Sequence, residues 1–136
     1  MSAVDLAVTR LQKEEGFRPS LYLDTTGHQT IGYGFNVQAG MTQTQAMALL
    51  NAQVLELNDA LSRYWWWTSL DAVRASVILD LAFNLGLNGL LHFPKMLSAI
   101  GIQDWIAAHD ELLDSDAARL LPARYGALAE TLLNGV

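Results

Sequence analysis

The N-terminal part of the chain carries two carboxylates and a hydroxyl at a spacing that suits acid–base chemistry. Glu15 is followed nine residues later by Asp24, and Thr30 comes six residues after that. Two carboxyl groups can together catalyse the cleavage of a glycosidic bond, because one donates a proton to the leaving oxygen while the other activates or positions a water molecule. The three residues therefore predict a site that cleaves a sugar polymer.

The elements that must position these residues follow from hydrophobic periodicity. Apolar residues at helical spacing predict an amphipathic helix from about Ala3 to Glu15, ended by Gly16; they are Val4, Ala7, Val8 and Leu11. Strand-like stretches at 22–24 and 30–34 flank a Thr-Thr-Gly turn. The pattern predicts an acid at a helix end opposite a hairpin, with space between them for a polymer chain.

Each of the three residues also has an ordinary structural interpretation. Glu15 could be an exposed acid, but the macrodipole at a helix C-terminus disfavours a carboxylate there, which suits a proton donor. Asp24 alone would be a turn residue, and Thr30 alone an ordinary strand threonine. Their combination and spacing favour function over these alternatives.

The rest of the chain predicts helices. A capping box at 42–45 begins a long helix, three consecutive tryptophans at 65–67 close it, and Ser69 is expected to cap a buried helix that ends at Gly86. Shorter helices are predicted at 94–100, 103–113 and 122–133. The fold class is α+β and mostly helical, a single domain over residues 1–136. A small N-terminal β-hairpin lobe would be joined by the long helix to a helical lobe after about residue 70.

Composition excludes several classes of protein. Of 136 residues, 51% are hydrophobic and 16% charged, which is typical of a compact domain. The absence of cysteine removes disulfides and zinc–thiolate sites, and the three histidines lack ligand spacing. The net charge of −6 disfavours nucleic acid as a partner. No signal peptide is apparent, and the most apolar window, 77–91, is too short to predict a membrane span.

The motifs resemble those of the phage-type lysozymes, glycoside hydrolase family 24. The Glu-x8-Asp-x5-Thr spacing is similar, as are Glu15-Gly16 and the run Asp-Thr-x-Gly-x-x-Thr-Ile-Gly-x-Gly from Asp24 to Gly34. Later segments also resemble the family, at 69–74, 83–86, 93–97 and 115–124. The chain departs from it at Phe35, where members commonly have histidine, and at 116–118, where they often have tryptophan.

The resemblance implies a lysozyme-like fold and hydrolysis of the β-1,4 bond between N-acetylmuramic acid and N-acetylglucosamine in peptidoglycan. Glu15 would be the general acid, while Asp24 and Thr30 would hold the attacking water. Arg124 would pair with Glu15, and Phe83 would line the cleft. No metal or organic cofactor is implied. The expected partner is cell-wall peptidoglycan, with neither nucleic acid nor stable membrane association, and the protein is expected to be a monomer.

The resemblance also suggests how the protein is used. An endolysin would be made in the host cytoplasm, since no signal peptide is seen, and would act on the wall in the periplasm. One alternative is a non-catalytic glycan-binding or scaffold domain, although all three motif residues are present. Another is a lysozyme module attached to a phage tail or a toxin, which would share the chemistry but not the delivery.

Overall fold

A computed structural model describes residues 1 to 135 and confirms the α+β class. Seven α-helices and one three-stranded antiparallel sheet are present in this part of the chain. The helices are α1 (Ala3–Glu15), α2 (Gln43–Leu61), α3 (Ala72–Leu91), α4 (Pro94–Gly101), α5 (Trp105–Leu113), α6 (Asp116–Leu120) and α7 (Pro122–Asn134). The strands are β1 (Arg18–Leu23), β2 (Gln29–Gly32) and β3 (Phe35–Asn36).

The chain divides into two compact units, an N-terminal unit of Met1–Ala48 and a helical unit that begins at Leu49. The boundary lies inside α2, earlier than the predicted boundary near residue 70. The difference arises because Leu61 at the end of α2 and Trp66 after it are buried in the same core as α3. The prediction of a single domain over residues 1–136 stays a prediction.

The N-terminal unit begins with α1, which has the predicted bounds. Ser2 accepts a hydrogen bond from the backbone N–H of Asp5, and the Asp5 carboxylate accepts one from the N–H of Ser2, so a capping box starts the helix. Gly16 ends it with a φ of 68°, a left-handed conformation that favours glycine. Local chemistry at both ends therefore fixes where Glu15 lies.

The sheet has β2 at its centre. Thr30 pairs with Tyr22 of β1 on one side and with Asn36 of β3 on the other. β1 begins four residues before the predicted strand, and the predicted second strand is shorter, because Gly32 and Gly34 take positive φ and turn the chain into β3. Thr30 is thereby the buried residue of the sheet, at 2% exposure.

The helical unit encloses the core, and two predictions about α3 are wrong. Asp71, not Ser69, caps this helix by accepting from the N–H of Arg74, while the Ser69 hydroxyl donates to the carbonyl of Gly101. The helix also does not end at Gly86. Gly86 breaks the helical geometry with a φ of 76°, but the helical turns resume and continue to Leu91.

The α3 helix bears on the expectation about membrane spans. Its 20 residues make it long and apolar enough, by length and composition alone, to cross a membrane. The core helix of a globular unit meets the same test, and Val77, Ile78 and Leu81 are buried in the helical unit. The helix is therefore weak evidence for a span.

The three tryptophans have different environments. Trp66 is 3% exposed and stacks on Tyr64 with 5.5 Å between ring centroids, while Trp67 meets Trp66 edge-on. Trp65 is 64% exposed and its ring lies against Gly101. One tryptophan therefore fills the core of the helical unit, and another remains mostly open.

Of the shorter helices, α4, α5 and α7 match the prediction within two residues, and α6 was missed. Ser115 caps α6 by accepting from the N–H of Ala118. Five residues are too few to display a 3.6-residue period, so only the cap could have indicated this helix.

Arg74 connects three helices of the helical unit. From the first turn of α3, its Nε donates to the carbonyl of Leu132 at 2.7 Å and its Nη2 to that of Leu133 at 2.8 Å. The guanidinium also lies 4.0 Å from the ring centroid of Trp105 in α5. The last carbonyls of a helix lack intrahelical partners, so this arginine satisfies the C-terminus of α7.

We expect Arg74→Ala to lower the free energy of unfolding by at least about 2 kcal/mol, because hydrogen bonds to a charged group each contribute roughly 1.5–3 kcal/mol. Arg63→Ala is the matched control, since Arg63 pairs only with Asp59 and both side chains are 75% exposed. Such a surface pair contributes about 0–1 kcal/mol. Denaturant unfolding measures both variants, and equal losses would contradict the role of Arg74.

Candidate active site

Glu15 is the last residue of α1, and its carboxylate lies against the turn between β2 and β3. A Cβ atom built on Gly34 would lie 2.5 Å from Oε2 of Glu15 and 2.8 Å from its carboxyl carbon. Gly34 also has a φ of 75°. The turn therefore requires glycine twice, for the backbone conformation and for the space that the carboxylate occupies.

Asp24 follows β1, and one of its carboxylate oxygens receives three donors. Oδ1 accepts from the N–H of His28 at 2.9 Å and from the N–H and hydroxyl of Thr26 at 2.9 and 2.8 Å. The His28 N–H, followed by the Thr26 hydroxyl, lowers the pKa of Asp24 below its ordinary value of 3.8. Within the N-terminal unit, no hydrogen bond ends on Oδ2, which faces the imidazole Nδ1 of His28 at 3.6 Å.

Thr30 is joined to Asp24 through the main chain of His28. The Thr30 hydroxyl donates to the carbonyl oxygen of His28 at 2.9 Å, and the backbone N–H of Asp24 donates to the same oxygen at 2.9 Å. The single proton of the Thr30 hydroxyl is thereby used, so that its oxygen can still accept. The structure thus brings these two predicted residues together.

The three predicted residues are arranged along β2. Asp24 lies at the start of this strand, Thr30 within it, and Glu15 beside the turn that follows its end. A strand rises about 3.3 Å per residue, so the four residues of β2 separate its two ends by roughly 10 Å. The two carboxylates therefore approach the strand from opposite ends.

Arg124 and Phe83 belong to the helical unit. Nη2 of Arg124 donates to Oδ1 of Asp80 in α3 at 2.7 Å, a partner that the sequence did not reveal because 44 residues separate the two. The pairing of Arg124 with Glu15 stays a prediction. Beside this ion pair, the hydroxyl of buried Tyr125 donates to Oδ1 of Asn84 at 2.6 Å.

Phe83 lines a cavity of about 330 Å³ in the helical unit, and its side chain is 46% exposed. The other lining residues are Gln53, Glu56, Leu57 and Ala82. An exposed aromatic ring beside amide and carboxyl groups can contact a sugar, whose faces are apolar and whose edges carry hydroxyls. Phe83 thus lines a cavity of the helical unit, and its place in the substrate cleft stays a prediction.

A larger cavity, of about 500 Å³, lies elsewhere in the helical unit and contains none of the predicted site residues. It is lined by parts of α4, α5 and α6, including Lys95, Glu111 and Arg119. Arg119 is already paired with Asp114 and Asp116. The larger cavity is therefore not formed by the predicted carboxylates, Glu15 and Asp24, which lie in the N-terminal unit.

The sequence missed the supporting residues of the site. Thr26 lies in the predicted Thr-Thr-Gly turn and His28 directly follows it, and together they supply every donor that Asp24 Oδ1 receives in the N-terminal unit. An Asp that accepts from the N–H two residues on is a known turn signature, so part of this arrangement could have been predicted. Among residues 1–135, no group of three or more His, Cys, Asp or Glu residues could hold a metal ion.

Comparison with known proteins relates the chain to a family. A family model described as phage lysozyme matches residues 12–121. The chain is similar to "Probable T4-type lysozyme 1" of Dictyostelium discoideum, at 23% identity over 92% of both chains. It is also similar to "Pre-baseplate central spike protein Gp5" of Enterobacteria phage T4, at 24% identity over 77% of this chain. That alignment spans only 24% of the spike protein's own length.

We expect Thr26→Ala to raise the pKa of Asp24, because the variant removes a hydroxyl that donates to the ionised form. Since the folded pKa is lowered, the Asp24 turn stabilises the fold above about pH 4 and loses that contribution as the pH falls through the folded value. The variant should bring the pKa of Asp24 in the folded protein closer to its ordinary value of 3.8. Carboxyl-carbon NMR titration measures it, with Thr25→Ala as the neighbouring control, and an unchanged Asp24 titration would contradict the hydrogen bond.

Proposed function

The chain belongs to the phage lysozyme family, and from that premise we propose that it is a muramidase. It hydrolyses the β-1,4 bond between N-acetylmuramic acid and N-acetylglucosamine in peptidoglycan. The state of Asp24 is the observation that carries the proposal. One oxygen of this carboxylate is saturated by three donors, which keeps the group ionised and leaves the other oxygen to accept from water.

Asp24 and Thr30 together hold the attacking water. The water donates one proton to Oδ2 of Asp24, which is an acceptor only when ionised. The second O–H of the water donates to the hydroxyl oxygen of Thr30. That hydroxyl already donates its own proton to the carbonyl oxygen of His28. Both acceptors are tied to the same peptide, so their relative position is fixed before substrate arrives.

Glu15 is the proton donor to the leaving oxygen. It stands at the C-terminal end of α1, where the helix macrodipole destabilises a carboxylate. No hydrogen bond or ion pair to its carboxylate forms within the N-terminal unit, in contrast to the three donors on Asp24. Two carboxylates with such different surroundings can take opposite roles, one as acid and one as base.

The arrangement along β2 favours inversion at the anomeric carbon. Inverting glycosidases hold their carboxyl groups roughly 6.5–9.5 Å apart so that a water fits, whereas retaining enzymes hold them about 5–5.5 Å apart. Glu15 and Asp24 approach β2 from opposite ends, which is consistent with the wider gap. In the helical unit, Phe83 would contact the glycan, and Arg124 would support the acid.

We propose delivery as an endolysin, made in the host cytoplasm and acting as a monomer on the wall in the periplasm. The second candidate is a lysozyme module of a phage particle, which the similarity to a central spike protein supports. Detection of the protein in purified particles distinguishes the two, because an endolysin is absent from them. A non-catalytic glycan-binding role is disfavoured because Glu15, Asp24 and Thr30 are all present.

We expect Glu15→Gln to lower the rate of peptidoglycan hydrolysis by about 10²–10⁴-fold, because the amide keeps the shape of the acid but cannot donate its proton as an acid does. Folding stability should be unchanged or slightly higher, since a charge leaves the helix C-terminus. Loss of turbidity of outer-membrane-permeabilised cells measures the rate.

The adjacent Glu14→Gln is the matched control, since it removes the same charge from the same exposed helix end. It should retain nearly the full rate. Retention of more than about a tenth of the wild-type rate by Glu15→Gln would contradict the general-acid assignment, given the usual contribution of about 10²-fold or more.

Gly34→Ala should reduce the rate of peptidoglycan hydrolysis by more than the backbone strain of the substitution alone explains. The added methyl group occupies the space of the Glu15 carboxylate, a flexible group that moves rather than unfolding the turn. Gly40→Ala provides the comparison, because Gly40 has nearly the same φ, 76°, with open space where its Cβ would lie. Each variant should lose about 1–3 kcal/mol of stability through the strain of a positive φ, but only Gly34→Ala should lose most of its activity relative to folded protein.

A further inference from the structure

The imidazole of His28, which contacts the Thr26 hydroxyl behind Asp24, has no role in the scheme above. The Thr26 hydroxyl donates to Oδ1 of Asp24 at 2.8 Å and lies 2.7 Å from the imidazole Nδ1 of His28. The His28 side chain is 52% exposed, so burial does not explain why its ring adopts this position. The contacts connect Asp24 to Thr26 and Thr26 to His28, and Nδ1 of His28 also lies 3.6 Å from Oδ2 of Asp24, beyond hydrogen-bond distance.

The direction of the protons in these contacts follows from counting donors. The Thr26 hydroxyl has one proton, and the ionised Asp24 carboxylate can only accept, so that proton goes to Oδ1. The 2.7 Å contact between Thr26 and His28 then requires the imidazole to donate. Nδ1 of His28 must therefore carry a proton, and Nε2 is the acceptor when the ring is neutral.

We propose that His28 is a positioning residue of the site and acts on Asp24 through the Thr26 hydroxyl. The imidazole holds the hydroxyl in the orientation that saturates Oδ1, and the saturated oxygen fixes the rotation of the carboxylate. Oδ2 then faces the water. The proposal rests on the muramidase function, and it adds a residue that the Glu-x8-Asp-x5-Thr pattern does not contain.

The geometry allows the ring of His28 to be tested separately from its backbone. The N–H of His28 donates to Asp24, and its carbonyl accepts from Asp24 and Thr30. All three bonds use main-chain atoms and survive a change of side chain. A substitution at position 28 therefore removes the contact with Thr26 while the connection between Asp24 and Thr30 remains.

Two variants of His28 test whether the site needs a hydrogen-bond donor at the position of Nδ1 or only an aromatic ring. In His28→Asn the amide nitrogen takes the position of Nδ1 and can still donate to Thr26. His28→Phe keeps a ring but has no donor. We expect the Phe variant to lower kcat about fivefold to tenfold with KM nearly unchanged, the size of one lost hydrogen bond. The Asn variant should stay within about twofold of wild type, because it retains that bond.

Imidazole nitrogen NMR tests the chain of bonds without reference to activity. The nitrogen shifts of wild-type His28 should show the tautomer protonated at Nδ1 in neutral solution. Thr26→Ala should abolish this preference and Thr26→Ser should restore it, whereas a purely structural role for Thr26 would leave the tautomer unchanged. A wild-type ring protonated only at Nε2 would overturn the proposal.

The kinetic measurements also test whether His28 positions Asp24. If His28→Phe retains the wild-type kcat, or if His28→Asn is as impaired as His28→Phe, then donation from Nδ1 does not position Asp24 and the proposal is wrong. Failure of the muramidase function itself is recognised separately. In that case Glu15→Gln would hydrolyse peptidoglycan no more slowly than wild type, while the His28 tautomer could still change when Thr26 is substituted.

Discussion

The main chain of His28 is the constraint on which the candidate site depends. Its N–H donates to the carboxylate of Asp24, and its carbonyl oxygen accepts from the backbone of Asp24 and from the hydroxyl of Thr30. The N–H and the carbonyl belong to successive peptide units that meet at the Cα atom of His28, so the main chain of this one residue sets the position of both Asp24 and Thr30. Because the carbonyl oxygen accepts from the backbone of Asp24 and from the hydroxyl of Thr30, small changes in the turn would move the two residues together.

The glycines at and after the end of β2 leave room for the acid. Glycine in or beside a strand lets the backbone bend or approach another group closely. In the structure the neighbour of Gly34 is the carboxylate of Glu15. The same residue thus gives the turn its left-handed backbone and leaves room for a side chain from another element. This is why a feature of turn geometry is also a feature of the active site.

Local signals predicted the fold where short-range chemistry decides it. The Ala3–Glu15 helix begins and ends at the predicted residues because a capping box and a left-handed glycine define it. The connections that link distant segments carried no such signal. Arg74 reaches carbonyls 58 and 59 residues away, and Arg124 pairs with Asp80 across 44 residues. Periodicity describes which face is apolar, not which polar groups meet, so these contacts could not be predicted.

Catalysis and stability are assigned to different parts of the chain. The described core residues all lie in the helical unit, with Tyr125 and Ile78 among those without exposed surface. The predicted acid and base lie in the N-terminal unit, Glu15 at the end of α1 and Asp24 in a turn where hydrogen bonds rather than packing hold its carboxylate. Residues selected for chemistry contribute little to burial, so their loss need not unfold the protein. Thr30 is the exception, because the same threonine is the buried residue of the sheet and, in the proposed mechanism, an acceptor for the attacking water, so a substitution there would change both properties at once.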